Sequence, residues 1–302
     1  MEEDKFLNIS DSHQIDIKVL IKTLQDIKLL RENFPDILIE VKFNYSNIKF
    51  TKDINFLKEV VLEVQNKDNR WKIIRHNLPE SATINNLKVE SLKSIVDNFL
   101  IISNNLYPYF KVIDCLQNSC KIIAPEHDKR DVKLWRLLKY DKFTSIKVVF
   151  KNPFDINDTG ITFYGKEHSV QSLLNTYNSS NEQETKDMDV DSLTADDEFQ
   201  DIYRDICNRL DIIDFPSVEN NEINEENECA ICLSYEDEFN QLPFVCCDNS
   251  KCECLFHVLC LNKHLSIKNT TVLTTRLAIC PFCKQKISSN FLNLLQNVNL
   301  FD

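Results

Sequence analysis

Cys229-Ala-Ile-Cys232, Cys247-Asp-Asn-Ser-Lys-Cys252, His257-Val-Leu-Cys260 and Cys280-Pro-Phe-Cys283, met in that order, decide how this chain is read. Nine of its twelve cysteines lie between Cys229 and Cys283. Two C-x2-C pairs bracket a C-x4-C-x4-H-x2-C block, which supplies eight soft ligands, enough for two tetrahedral Zn²⁺ ions. A two-residue gap lets both thiolates of a pair turn onto one ion. With four protein ligands per ion, no position is left for an activated water, so the zinc is expected to be structural. Cys246 and Cys254 are spare thiols inside the block. A register using Cys252, Cys254, His257 and Cys260 in place of Cys247 is equally compatible with the spacing.

A cross-brace, in which ligand pairs one and three bind one ion and pairs two and four the other, assigns Cys229, Cys232, His257 and Cys260 to the first site. Cys247, Cys252, Cys280 and Cys283 then form the second. Such a short segment has little interior, so metal binding is expected to supply most of its folding free energy. The apolar residues inside the knuckles, Ile231 in one and Pro281-Phe282 in the other, would line a shallow groove between them.

Working outward, 302 residues suggest two or three domains. Hydrophobic residues make up 43% of the chain, which excludes wholesale disorder. The net charge of −12 disfavours direct binding to a phosphate backbone. No apolar run reaches the roughly 20 residues that a bilayer span needs. The acidic N-terminus has no secretory pattern. An intracellular protein is therefore expected, whose clustered cysteines read as metal ligands. Cys115, Cys120 and Cys207 are expected to be buried small hydrophobes.

Ile17, Leu20, Ile21, Leu24 and Ile27 have the spacing of an amphipathic helix over 13–32 that stops before Pro35. Strand-like runs follow at 37–50, 56–65 and 70–78, with a turn at Lys67-Asp68-Asn69. A helical stretch over about 89–117 is expected to kink or end at Pro108. Further strands are read at 121–125, 133–140, 144–150 and 160–165, with a turn at Asn152-Pro153. Helix followed by a strand meander thus occurs twice, predicting an α+β chain of two similar lobes and a metal domain: 1–85, 86–218 and 219–302. Residues 178–198 read as an acidic loop and 219–228 as an acidic linker. Between them, Phe199, Ile202, Tyr203, Ile206, Leu210 and Ile213 resume helical spacing.

Cys247-Asp248-Asn249-Ser250, Phe256-His257-x2-Cys260-Leu261 and Cys280-Pro281-Phe282-Cys283 resemble the variant RING of the Fanconi anaemia group L ubiquitin ligase family. The resemblance is weaker upstream, where Leu134–Gly165 and Asp214-Phe215-Pro216 look like that family's double-RWD module. It implies two RWD-like lobes, Cys247 rather than Cys254 as ligand, and a reduced or missing N-terminal E2-like fold. It further implies an E3 ligase, without covalent intermediate, that recruits a ubiquitin-charged E2 through Ile231, Pro281 and Phe282. Lys284 sits where RING ligases often place a cation bridging E2 and ubiquitin, and His264 where the family has an E2-anchoring Trp. The implied partners are an E2, ubiquitin, Fanconi D/I-type substrates and other Fanconi core-complex subunits, with no direct nucleic acid or membrane. The implied location is the nucleus, with the cytoplasm second. A PHD-type histone-tail reader shares the ligand order but buries an aromatic where this chain has Ala278. A non-catalytic zinc scaffold is the third reading.

Overall fold

The computed structural model describes residues 17–42, 46–55, 57–67, 69–79, 91–125, 133–181, 201–215, 228–268 and 278–296. They fall into two compact units, Met1–Asn105 and Leu106–Asp302. The acidic linker, apart from Glu228, and most of the acidic loop lie outside the described residues.

In the first unit, helix α1 (Ile17–Asn33) precedes an antiparallel meander of β1 (Ile37–Lys42), β2 (Asn47–Ile54), β3 (Lys58–Lys67) and β4 (Arg70–His76). The expected run 37–50 is therefore a hairpin, with Lys42 opposite Asn47. Alternation along β2 and β3 puts Ile48, Phe50, Val60, Leu62 and Val64 in the core. Asn69 is left-handed, as the two-residue connection between the paired Lys67 and Arg70 requires. Helix α2 (Leu92–Asn105) packs on β2 and α1, with Ile95, Val96 and Phe99 buried. The buried face of α1 is Thr23, Ile27 and Leu30, whereas Ile17, Ile21 and Leu24 of the expected stripe are exposed.

The first compact unit runs to Asn105. The break expected near Pro108 in the 89–117 stretch is present: two helices divide at Leu106, and Pro108 takes the second position of the next helix. That helix, α3 (Tyr107–Ser119), opens the second unit. A second antiparallel meander follows: β5 (Lys121–Ala124), β6 (Trp135–Lys139), β7 (Ser145–Asn152) and β8 (Asp155–Tyr164). The β7–β8 turn is the expected Asn152-Pro153, with the Asn152 side chain accepting the Phe154 N–H. Helix α4 (Glu167–Asn181) takes in residues 178–181 of the expected acidic loop, and α5 (Asp201–Arg209) packs against it. Phe215 is fully buried between Tyr140 and Tyr203. Cys120 and Cys207 are buried and Cys115 is partly buried, and burial raises the pKa of all three thiols.

The metal domain does not stand apart from this lobe. Ile123, Ala124, Leu137 and Tyr164 share one continuous core with Phe244, Val245, Phe256, Phe291, Leu294 and Leu295. Tyr164 stacks on Phe291 at 5.9 Å and meets Phe244 edge-on at 6.4 Å. Gly165 turns the corner out of β8, and a Cβ there would sit 2.7 Å from the Phe143 carbonyl oxygen. Only glycine permits so close an approach. The expectation that this segment has little interior is corrected: its described residues have an apolar core of their own, completed by Ile123, Ala124, Leu137 and Tyr164 of the lobe.

Candidate metal centre

Little regular structure holds the ligands. Isolated bridges pair Cys229 with Leu255, Val245 with Phe256, Cys247 with Ile287 and Ile279 with Lys286. Helix α6 (Val258–Lys268) starts directly after His257, and its first turn carries Cys260. A short 3₁₀ turn (Ser289–Phe291) and helix α7 (Leu292–Gln296) close the segment.

The two C-x2-C pairs fold alike. In the first, the Leu233 N–H donates to the Cys229 carbonyl at 2.8 Å and the Cys229 N–H to Ser234 at 3.0 Å. In the second, the Lys284 N–H donates to Cys280 at 3.2 Å and the Cys280 N–H to Gln285 at 2.8 Å. Both turns depend on a left-handed residue after the second cysteine, Leu233 at φ 58° and Lys284 at φ 63°. That conformation is costly for a side chain bearing a Cβ and is held here by the ligand turn.

The donor atoms of Cys229, Cys232, His257 and Cys260 lie within 4.8 Å of one another, as do those of Cys247, Cys252, Cys280 and Cys283. The pairs cross as the brace requires. Cys247 joins the second group, whereas the Cys246 thiol donates to the Phe143 carbonyl at 3.7 Å and Cys254 stands outside both groups. His257 Nε2 lies 3.3 Å from the Tyr235 carbonyl, a pure acceptor, so Nε2 carries the proton. Nδ1 then faces Cys232 at 3.4 Å and Cys260 at 3.7 Å and is the nitrogen placed to bind an ion. A backbone carbonyl behind a ligating imidazole is the usual orienting arrangement.

The electrostatics call for a cation. Burial opposes ionisation of Cys229, but His257 and three backbone N–H groups outweigh it and bring its pKa down to about 6. Burial also opposes protonation of His257, yet the neighbouring Cys229 raises it to about 9. Burial and then the charge of Cys229 push Cys260 up to about 12. In the second group, burial is outweighed at Cys283 by the Gln285 N–H and Asn249, giving about 6, while burial raises Cys247 and Cys280. The protein alone thus favours the thiolates of Cys229 and Cys283. A divalent ion would release the protons that burial keeps on Cys247, Cys260 and Cys280. Bonds of about 2.3 Å to a tetrahedral ion place sulfurs about 3.8 Å apart, close to the 3.5 Å between Cys247 and Cys283. Both groups fit two metal ions.

Around the knuckles, Phe282 is 54% exposed and its ring stacks on the buried Phe256 at 6.0 Å. Ile231 and Pro281 are half-buried. Lys284 is exposed and its Nζ donates to the Pro281 carbonyl. His264 is half-buried, and its Nε2 is inaccessible and has no hydrogen-bond partner. Sequence reading missed Leu233 and Ile279, which are 72% and 52% exposed beside ligand cysteines, and Tyr235 and Phe239 in the loop after the first knuckle. The available signal was an apolar residue flanking each ligand pair.

Two cross-braced four-ligand groups, each able to hold a metal ion, fused to an α+β lobe define a RING-like protein. The FANCL UBC-like domain 3 model matches residues 108–217 and the FANCL C-terminal domain model residues 225–291, together more than half of the chain. The chain belongs to the FANCL family. The E3 ubiquitin-protein ligase Fancl of Drosophila melanogaster is 24% identical over 238 residues, 74% of this chain. The match spans 59% of that relative's length. A crystal structure of FANCL has the same fold, with a TM-score of 0.68 at 22% identity over 91% of this chain and 74% of that one.

Proposed function

We propose that this chain is a RING-type E3 ubiquitin ligase with two structural Zn²⁺ ions, and that it works by holding a ubiquitin-charged E2. The observation that carries the reading is the apolar surface at the two knuckles: Leu233, Ile279 and Phe282 are exposed on turns that the ligands fix. Exposed apolar side chains on a rigid frame suit a partner's loops. The Drosophila relative's name supports the same reading.

In this mechanism zinc supplies rigidity and nothing else. Ile231, Phe282 and their neighbours grip the E2. The thioester to ubiquitin is then presented in one orientation, and a substrate lysine attacks it without a covalent step on this chain. Lys284 would have to leave the Pro281 carbonyl to reach ubiquitin. The expected setting is the nucleus, with monoubiquitylation of Fanconi D/I-type clamp proteins alongside core-complex subunits.

Autoubiquitylation of the full chain with a panel of E2 enzymes tests the proposal. Phe282→Ala and Ile231→Ala should each weaken E2 binding about tenfold, as loss of an interface anchor does, with zinc content unchanged. Inactivity with every E2, together with tight binding of a histone-tail peptide, would replace this reading with the PHD one.

A further inference from the structure

The corner Gly165-Lys166-Glu167 belongs to the α+β lobe, joining β8 to α4, yet all three residues are bonded to the metal domain. The Asn290 side chain receives the Gly165 N–H at 3.2 Å and donates to its carbonyl at 2.9 Å. Lys166 Nζ donates to the carbonyls of Asn249, Ser250 and Cys252 at 3.1, 3.5 and 3.2 Å. The Glu167 N–H donates to Asp248 Oδ1 at 2.9 Å, and the Glu167 carboxylate pairs with Lys286 at 2.7 Å. The residues contacted by Lys166 and by the Glu167 N–H form the loop between Cys247 and Cys252, two ligands of the second site.

Three carbonyl oxygens turned toward one point repel one another, and an ammonium among them converts the repulsion to attraction. The Lys166 ammonium also lies 3.9 Å from the Phe143 ring centroid, which fixes it from the lobe side. Asp248, next to the ligand Cys247, in turn caps the first turn of α4, where an anion suits the helix dipole. Four thiolates around one divalent ion leave excess negative charge that a nearby ammonium offsets. The first site is organised within the metal domain, through Ser234 and Tyr235. It therefore provides an internal reference.

We propose that Lys166 is a positioning residue for the second metal site. This lobe residue holds the Cys247–Cys252 loop in its ligating form, and the site reaches full affinity only with the metal domain docked on the lobe. The proposal rests on the two-metal reading and is independent of ligase activity.

The test is titration of the reduced full chain with Co²⁺ alone. A cobalt site made of four thiolates absorbs differently in the visible range from one made of three thiolates and an imidazole, so each is followed separately. Lys166→Met keeps the aliphatic stem and removes the ammonium. It should weaken the second site about 10- to 100-fold, the usual cost of losing a group that orients metal ligands, and leave the first site unchanged. Lys166→Arg should recover most of the loss. Lys142→Met removes a nearby surface pair with Glu253 and should change neither site more than about twofold. If Lys166→Met does not fold, the milder Lys166→Gln should show a smaller loss confined to the second site. Wild-type affinity at the second site of a folded variant, or equal weakening of both sites, would overturn the proposal. Absence of the all-thiolate cobalt signal in the wild-type chain would overturn it together with the two-metal reading.

Discussion

Replacing Phe291 by Ala should destabilise the lobe and the metal domain together. Phe291 is fully buried, stacked on Tyr164 at 5.9 Å with the planes 19° apart, and edge-on to Phe244 at 5.9 Å. Truncating a buried Phe to Ala costs about 3–5 kcal/mol from lost transfer energy and the cavity left behind. The two ring contacts place this case near the middle, at about 4 kcal/mol. With a urea m-value of about 2–3 kcal/mol/M, the midpoint should fall by roughly 1.5 M. Trp135, on β6 and packed against the shared cluster, is the reporter, read by fluorescence with Trp71 replaced by Phe under reducing, zinc-saturated conditions. A cooperative shared core moves the Trp135 transition by the full amount. If that transition stayed fixed while zinc release moved to lower urea, the two parts would be separate folding units and the shared-core argument would fail.

Two further outcomes follow from the geometry. Cys247→Ser should lower bound zinc from two ions per chain to one, whereas Cys254→Ser should retain both, because Cys247 belongs to the second ligand group and Cys254 to neither; elemental analysis of the purified variants decides. Lys139 is a buried amine whose pKa burial, then the charge of Lys121, depresses from 10.5 to about 8. Below pH 8 the folded and unfolded states both carry its proton and the cost of burying the charge is fully present. Between about 8 and 10.5 the unfolded state binds more protons, so this group makes stability rise with pH. Lys139→Met should therefore raise the thermal midpoint at about pH 7, with a gain that shrinks above about pH 8. A constant gain across that range would mean that Lys139 is not the titrating group.

The metal centre was the most legible part of the chain because ligand spacing is a local constraint. A knuckle needs two cysteines three positions apart, and both knuckles have them. The choice of Cys247 over Cys254 was not local: spacing admits both, and only the folded chain gathers Cys247 with Cys252, Cys280 and Cys283. Strands were legible where one face is buried, as in β2 and β3. Helix α4 went unread although Val170, Leu173, Leu174 and Tyr177 have helical spacing, because the acidic run beyond it dominated the composition. The division after Asn105 is hard to read for a related reason. Periodicity continues from α2 into α3; Pro108 marks a break in the helix, and packing on different sheets is what makes it a division between units. In α1, hydrophobicity marked the helix but not its buried side: Thr23 faces inward while Ile17 and Ile21 face out.

The shared core also bears on how a docked E2 would act. Phe282 rests on Phe256, and Phe256 belongs to the same cluster as Tyr164 and Leu137 of the lobe. A partner seated on Phe282 would therefore stand on a continuous packed path, through Phe256, into the β-sheet. Close-packed interiors transmit displacement and do not absorb it. The lobe would then fix where the thioester points, and a substrate held by that lobe would offer only the lysines within reach of one orientation. A freely tethered RING would sample many orientations and modify many lysines. Rigid mounting, more than any group at the knuckles, is the feature that would restrict this chain to few sites.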